Sequence, residues 1–194
     1  MKKMIWYMFA VVFISSSCLV TFAAETIEKH CFDEVGIKIG YGGDNWALTP
    51  WDNSRNDYMT GSVSGYFANQ FYHSENGTSS YFFEPIYQQA VGANFEAGIN
   101  AGVQYRYKFT EKVAGFGFFG IGPHYSSILT EAKPSSNGFN IELVFGAGAY
   151  YFLSEKESIS FSANITHTSN GRFFFPNYMN NDVYGEIGYS IFYN

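Results

Sequence analysis

The segment from Phe95 to Phe109 sorts its side chains more strictly than any other part of the chain. Its odd positions are apolar or aromatic, and its even positions are glycine, amide or charged. The odd set is Phe95, Ala97, Ile99, Ala101, Val103, Tyr105, Tyr107 and Phe109, and the even set is Glu96, Gly98, Asn100, Gly102, Gln104, Arg106 and Lys108. Strand side chains alternate between two faces, whereas a helix would scatter these residues around its circumference. The pattern therefore predicts a β-strand with one apolar face.

Similar alternation recurs along the chain and predicts eight strands. They cover residues 35–41, 58–72, 80–89, 95–109, 113–126, 139–153, 157–169 and 183–193. The segment 113–126 is strand-like without being sorted, because Phe116 and Phe118 fall opposite Phe119 and Ile121.

The connections between these strands are of two kinds. Short charged turns lie at 110–112 and 154–156, a polar connection covers 73–79, and longer loops cover 44–57, 127–138 and 170–181. Gly42 to Asn45 is expected to end the first strand, and Pro85 to interrupt the third. Short turns alternating with long loops are typical of outer-membrane β-barrels, whose short turns face the periplasm.

Composition separates a membrane barrel from a soluble one. A soluble antiparallel barrel or sandwich would alternate too, with its apolar face inward. Here charged residues make up 14% of the chain, against about 25% in soluble domains. After residue 24, no apolar run reaches the ~20 residues that a spanning helix needs. We therefore predict an all-β fold, an eight-stranded antiparallel transmembrane β-barrel of the bacterial outer membrane.

The first residues have the three parts of a secretory signal peptide. Lys2 and Lys3 precede an apolar run, and the small residues Ala23 and Ala24 end it. We expect a signal peptide over 1–24, an N-terminal segment over 25–34 and the barrel over 35–194. A retained helical anchor and a lipidated Cys18 are the alternatives.

Charge and cysteine content narrow the classes of partner and cofactor. Without Lys2 and Lys3, nine basic and seventeen acidic side chains remain, a net charge of about −8, which disfavours nucleic acid as a partner. Cys31 is then the only cysteine, which excludes an intrachain disulfide. His30 beside it makes a poor metal site. We expect neither a metal nor another cofactor.

The inward face of the predicted barrel carries charges of both signs. They are Lys38, Arg106, Lys108, Glu84, Glu96, Glu142 and Glu186. An eight-stranded barrel has an interior just wide enough to be filled by side chains. These charges are therefore expected to form a paired plug, and His73 and His124 to lie at solvated or rim positions.

The strand from Glu157 ends in His167 and Ser169, which continue the apolar stripe of Phe161 and Ile165. A polar pair on that face makes sense if the face meets lipid and the substrate is itself a lipid. The rise to His167 is roughly 33 Å at ~3.3 Å per residue, or about 25 Å at a tilt of ~40°, the height of the apolar band. The pair should therefore reach the outer-leaflet rim, where lipid A lies.

A serine nucleophile needs a base within hydrogen-bond reach, and the base needs an orienting group. We predict Ser169 as nucleophile, His167 as base and Asn181 as orienter, since the odd parity of Asn181 puts it on the same face. Asp182 is the second choice and would point inward. Amide groups of Asn170 and Gly171, or the Asn170 side chain, could form an oxyanion hole.

The segment His167-Thr168-Ser169-Asn170-Gly171, with Pro176-Asn177 and a polar residue at 181, resembles the PagL-type lipid A 3-O-deacylases. The specific match lies in 161–193. The resemblance implies a lipid A esterase with Ser169 as nucleophile, His167 as base, Asn170 as oxyanion donor and position 181 as the orienting acid. Characterised deacylases carry Glu at that position, where this chain carries Asn.

The same segment is similar to outer-membrane phospholipase A, which uses His-x-Ser-Asn-Gly-Arg with an Asn fourteen residues after the His. His167, Ser169, Arg172 and Asn181 match that spacing. That resemblance implies a phospholipid substrate and leaves calcium and a homodimer open, although the chain is short for that larger barrel. The non-enzymatic alternative is a small structural or adhesive barrel.

Overall fold

The computed structural model describes residues 31–44, 59–90, 95–127, 138–169 and 180–193. They form eight strands: β1 Glu34–Asp44, β2 Met59–His73, β3 Gly77–Ala90, β4 Phe95–Lys108, β5 Val113–Ser126, β6 Gly138–Phe152, β7 Glu157–Ser169 and β8 Asn180–Phe192. Each strand pairs with the next, and β8 pairs antiparallel with β1 to close the sheet. The predicted eight-stranded antiparallel barrel is confirmed. Within the ranges given above, no helix is long and apolar enough to cross a membrane.

Three tight turns lie at one end of the barrel, at 74–76, 109–112 and 153–156. The first is shorter than the predicted connection over 73–79, because the backbone N–H of Ser74 donates to the carbonyl of Gly77 at 2.7 Å and β3 begins there. At the opposite end the strands are joined through 45–58, 91–94, 127–137 and 170–179, and three of these four segments are long. The two ends thus differ as they do in outer-membrane barrels.

Two expected strand breaks do not occur. Gly42 and Gly43 continue β1 to Asp44, since they pair with β2 on one side and β8 on the other. Pro85 lies within β3 and pairs with Ile99 of β4, while the pairing of β3 with β2 is interrupted beside it. Proline has no N–H to donate, and the interruption accommodates that loss.

The outer surface of the barrel is apolar and the interior is mixed. Along β4, odd positions such as Ile99, Val103 and Tyr105 are exposed, whereas Glu96, Asn100 and Gln104 are buried. A surface of exposed apolar side chains on every strand would be unfavourable in water and is favourable against hydrocarbon. The sorting predicted for this segment is confirmed.

The unsorted β5 contributes aromatic side chains to the interior. Phe116 packs with Tyr150 and Phe192, and Phe118 packs against Phe82 in a second cluster. Both phenylalanines are therefore inward exceptions to the apolar-outward pattern. They occupy interior volume beside the expected charged plug.

The predicted plug of paired charges is present in part. Lys38 Nζ lies 2.9 Å from Glu84 Oε2, and Arg106 Nη1 lies 3.3 Å from Glu34 Oε2. Glu34, expected in the N-terminal segment, is the first residue of β1. Lys108 is exposed beside a tight turn and does not contribute to a buried plug.

His124 lies near the end of β5, as expected of a rim residue, but it is not solvated. Its side chain is only 2% exposed, and its Nε2 lies 3.3 Å from Glu142 Oε1 inside the barrel. The even parity of His124 turns it into the lumen even though it lies near the end of β5. His73, by contrast, is exposed beside the 74–76 turn.

Candidate active site

His167 and Ser169 lie on the outer wall of β7. Phe161 and Ile165, on the same face, are 54% and 44% exposed. The alternate residues of β7, including Asn164 and Thr168, are buried in the lumen. His167 and Ser169 are partly exposed and follow the parity of the outer face. Both side chains therefore face the surroundings of the barrel and not its filled centre.

Asn181 of β8 is the direct cross-strand partner of His167. His167 Nδ1 and Asn181 Oδ1 are 2.7 Å apart. An amide oxygen only accepts, so with this arrangement Nδ1 carries the hydrogen and donates it. The other ring nitrogen, Nε2, then has its lone pair free, which is the form of imidazole that can accept a proton.

Ser169 is the last residue of β7 and lies two positions beyond His167. Neighbouring residues on one face of a strand are about 7 Å apart at Cα, a spacing across which a serine hydroxyl and an imidazole can approach each other. The cross-strand partners on β6 are Leu143 for His167 and Ile141 for Ser169. A polar pair is thus bordered by apolar side chains on one side and by Asn181 on the other.

The remaining residues of the predicted site have different outcomes. Asp182 is buried and its cross-strand partner is Thr166, so it lies inside the barrel and away from the outer face of His167. Asn170, Gly171 and Arg172 lie outside the described residues.

Glu142, which is buried beneath the site, has hydrogen bonds that the sequence did not predict. Glu142 was expected to belong to a plug of ion pairs, yet it accepts a hydrogen bond from Asn100 Nδ2 at 2.7 Å and one from Thr168 Oγ1 at 3.4 Å. Thr168 lies between His167 and Ser169 in the sequence and points to the opposite face. The even position of Thr168 between His167 and Ser169 was the sequence feature that could have predicted its inward contact.

None of the protein-family models matches the chain, and neither does any curated protein. Solved structures do match. The outer membrane enzyme PagL superposes with a TM-score of 0.56 at 18% identity, over 81% of this chain and 98% of that one. Neisserial surface protein A superposes with a TM-score of 0.53 at 11% identity, over 82% and 96%.

These likenesses concern the fold, and they agree with the apolar outer surface. This chain is an eight-stranded barrel integral to the bacterial outer membrane. The rim that carries His167 is opposite the three tight turns. Since the short turns of such barrels face the periplasm, the candidate site lies at the external rim. Among the described residues, no group of three or more His, Cys, Asp or Glu side chains is arranged to hold a metal ion.

Proposed function

We propose that this barrel is a lipid esterase that removes an ester-linked acyl chain from lipid A. Ser169 is the nucleophile, His167 the base and Asn181 the group that orients the base. The observation that carries the proposal is the 2.7 Å hydrogen bond from His167 Nδ1 to Asn181 Oδ1 on the outer wall of the barrel. It orients an imidazole with Nε2 free, two residues from a serine on the same face.

The reaction follows from these positions. His167 Nε2 takes the proton of Ser169 Oγ as that oxygen bonds to the ester carbonyl carbon. The tetrahedral intermediate collapses, the bond to the sugar oxygen breaks, and His167 returns the proton to that oxygen. Water then attacks the acyl-enzyme with His167 again as base, which releases a fatty acid and restores Ser169. Amide groups of Asn170 and Gly171, or the Asn170 side chain, are proposed to stabilise the oxyanion.

The position of the pair favours a lipid substrate. Its neighbours on the outer wall, Ile141, Leu143 and Ile165, are apolar side chains that face hydrocarbon. At the external rim, the ester bonds of the outer-leaflet lipid lie level with the site while its acyl chains lie against the barrel. Lipid A forms that leaflet, and the resemblance of 161–193 to the PagL-type deacylases favours its 3-linked acyl chain.

A phospholipase activity is the second candidate, and the amide at position 181 favours it. The spacing of His167, Ser169, Arg172 and Asn181 matches that of outer-membrane phospholipase A. Both candidates use the same nucleophile and base. They differ in whether the ester belongs to a sugar or to glycerol.

Mass spectrometry of lipids from cells expressing the wild type, Ser169→Ala or His167→Ala tests both candidates. We expect the wild type to remove a 3-linked acyl chain from lipid A, and each variant to lower the rate on the order of 10³-fold or more. Accumulation of lysophospholipid would instead favour the phospholipase.

The matched controls are Ser79→Ala and His73→Ala, which change an outward-facing serine and an exposed histidine at the opposite rim. Both should keep wild-type activity. A wild type that leaves lipid A and phospholipids unchanged, with the barrel folded, would overturn the proposal and favour a structural barrel.

A further inference from the structure

Four buried side chains lie together inside the barrel at the end of β7, and we call them the luminal cluster: Asn100, His124, Glu142 and Thr168. Glu142 is its centre. Oε1 accepts from Asn100 Nδ2 at 2.7 Å and has His124 Nε2 at 3.3 Å, and Oε2 accepts from Thr168 Oγ1 at 3.4 Å. The two hydrogen bonds to Glu142 join β4, β6 and β7 through one carboxyl group, and His124 of β5 lies beside it without a hydrogen bond.

The cluster lies directly behind the candidate active site. Glu142 and Thr168 are cross-strand partners. The next pair on one side joins Leu143 to His167, and the next on the other joins Ile141 to Ser169. The Glu142–Thr168 contact is therefore located between the two backbone positions that carry the base and the nucleophile, on the other face of the same two strands.

The two contacts of Glu142 differ in strength. The 2.7 Å bond from Asn100 lies at the short end of the usual range for an N–H donor to a carboxylate and fixes Oε1. The 3.4 Å contact from Thr168 is long for an O–H···O bond, but its acceptor is buried and held by Asn100. A side chain at 168 without a hydroxyl would lose this link and remove that donor from Oε2.

We infer that Thr168, through Glu142, is a positioning residue that holds the last residues of β7 so that Ser169 and His167 meet in register with Asn181. This inference rests on the proposed function, because it assigns the contact a role in the same reaction. Thr168 faces the lumen and does not touch the lipid substrate.

Thr166 provides the matched control. It lies two residues before Thr168 on the same face, and the two are similarly buried, with 4% and 7% of their surfaces exposed. The hydroxyl of Thr166, however, has no hydrogen-bond partner in the structure. Replacing either threonine by valine keeps the β-branched shape, so the two substitutions differ mainly in the loss of the contact to Glu142.

The test compares Thr168→Val, Thr168→Ser and Thr166→Val in the full-length mature barrel, with purified hexa-acylated lipid A as substrate. We expect Thr168→Val to lower kcat about 10-fold with KM unchanged, since the lipid-facing surface is unaltered. Thr168→Ser, which keeps the hydroxyl, should recover most of kcat, and Thr166→Val should match the wild type. If Thr168→Val does not fold, Thr168→Ala replaces it with the same expectation.

A second readout does not depend on activity. The Nδ1 proton of His167, hydrogen-bonded to Asn181, should give a downfield NMR signal that disappears in Asn181→Ala. We expect this signal to broaden or shift in Thr168→Val and to stay unchanged in Thr166→Val. Equal kcat and equal signals for the two valine variants would overturn the inference. An inactive wild type would overturn the proposed function alone, because the NMR comparison would still test the positioning.

Discussion

At the scale of single residues, Asn181 is the feature that distinguishes this site. Its amide oxygen accepts from His167 Nδ1 at 2.7 Å and so selects the imidazole form with Nε2 free. A carboxylate at that position would select the same form and would also stabilise the imidazolium that forms in the proposed reaction. The amide therefore supplies orientation without charge.

This difference gives a prediction for position 181. Asn181→Glu should raise kcat on the order of 10-fold, because a charge-assisted hydrogen bond is roughly twice as strong as a neutral one. Asn181→Ala should lower kcat on the order of 10²-fold, since nothing would then orient the ring. Rates of acyl release from lipid A measure both effects.

Asn181→Gln is the control for Asn181→Glu, because it has the same length and no charge. If the Gln and Glu variants had equal rates, the effect of charge at this position would be refuted and only side-chain length would remain.

At the scale of elements, the strands were predictable but several of their contacts were not. Alternation placed His167 and Ser169 on the outer face of β7, and the structure keeps them there. Alternation gave no assignment of faces for the unsorted β5, where the structure turns Phe116 and Phe118 into the lumen. In an unsorted strand, the neighbouring strands determine which residues face inward. For β5, the tight turn at 109–112 and the pairing with β4 and β6 fix this choice.

One contact across the lumen joins strands that are not neighbours in the sheet: Lys38 of β1 donates to Glu84 Oε2 of β3 at 2.9 Å. Ser64 of the neighbouring β2 donates to Glu84 Oε1 at 2.6 Å. Lys38 also lies over the Tyr66 ring, 4.3 Å from its centre. The charged groups of Lys38 and Glu84 are both nearly buried. Each charge therefore needs the other to offset its loss of hydration.

We predict that Lys38→Met lowers the free energy of unfolding by about 3 kcal/mol, because it leaves Glu84 buried without its cation. The double variant Lys38→Met with Glu84→Gln should recover at least half of that loss. Urea-dependent unfolding in detergent micelles measures both. A double variant no more stable than Lys38→Met would contradict the pairing.

At the scale of the whole molecule, closure of the sheet turns strand alternation into two different surfaces. The outer one is apolar around the circumference, and the inner one contains ion pairs, amides and aromatic clusters. The long segments and the candidate site lie at the rim opposite the tight turns. The catalytic pair that we propose on this wall would meet its substrate from within the membrane and not from water.

The position of the apolar band gives a stability prediction. Phe145 lies at the middle of β6 and Phe139 near its end, and the two are 52% and 54% exposed. Phe145→Arg should destabilise the barrel in phospholipid vesicles by ~2–4 kcal/mol, and Phe139→Arg by only ~0–1 kcal/mol. Guanidinium-dependent unfolding measures the difference. Equal effects would mean that the band is not centred on Phe145.

The sequence by itself determined the number of strands, the apolar outer face and the outward parity of His167, Ser169 and Asn181, because these follow from a period of two residues along a single strand. The contact of His167 with Asn181 was predicted as well, and the structure gives its length of 2.7 Å. Which side chains meet inside the barrel was decided by the tertiary structure alone, which brings Arg106 to Glu34 and Thr168 to Glu142. Those contacts depend on how far each strand is shifted against its neighbours, and that shift is a property of the closed barrel as a whole.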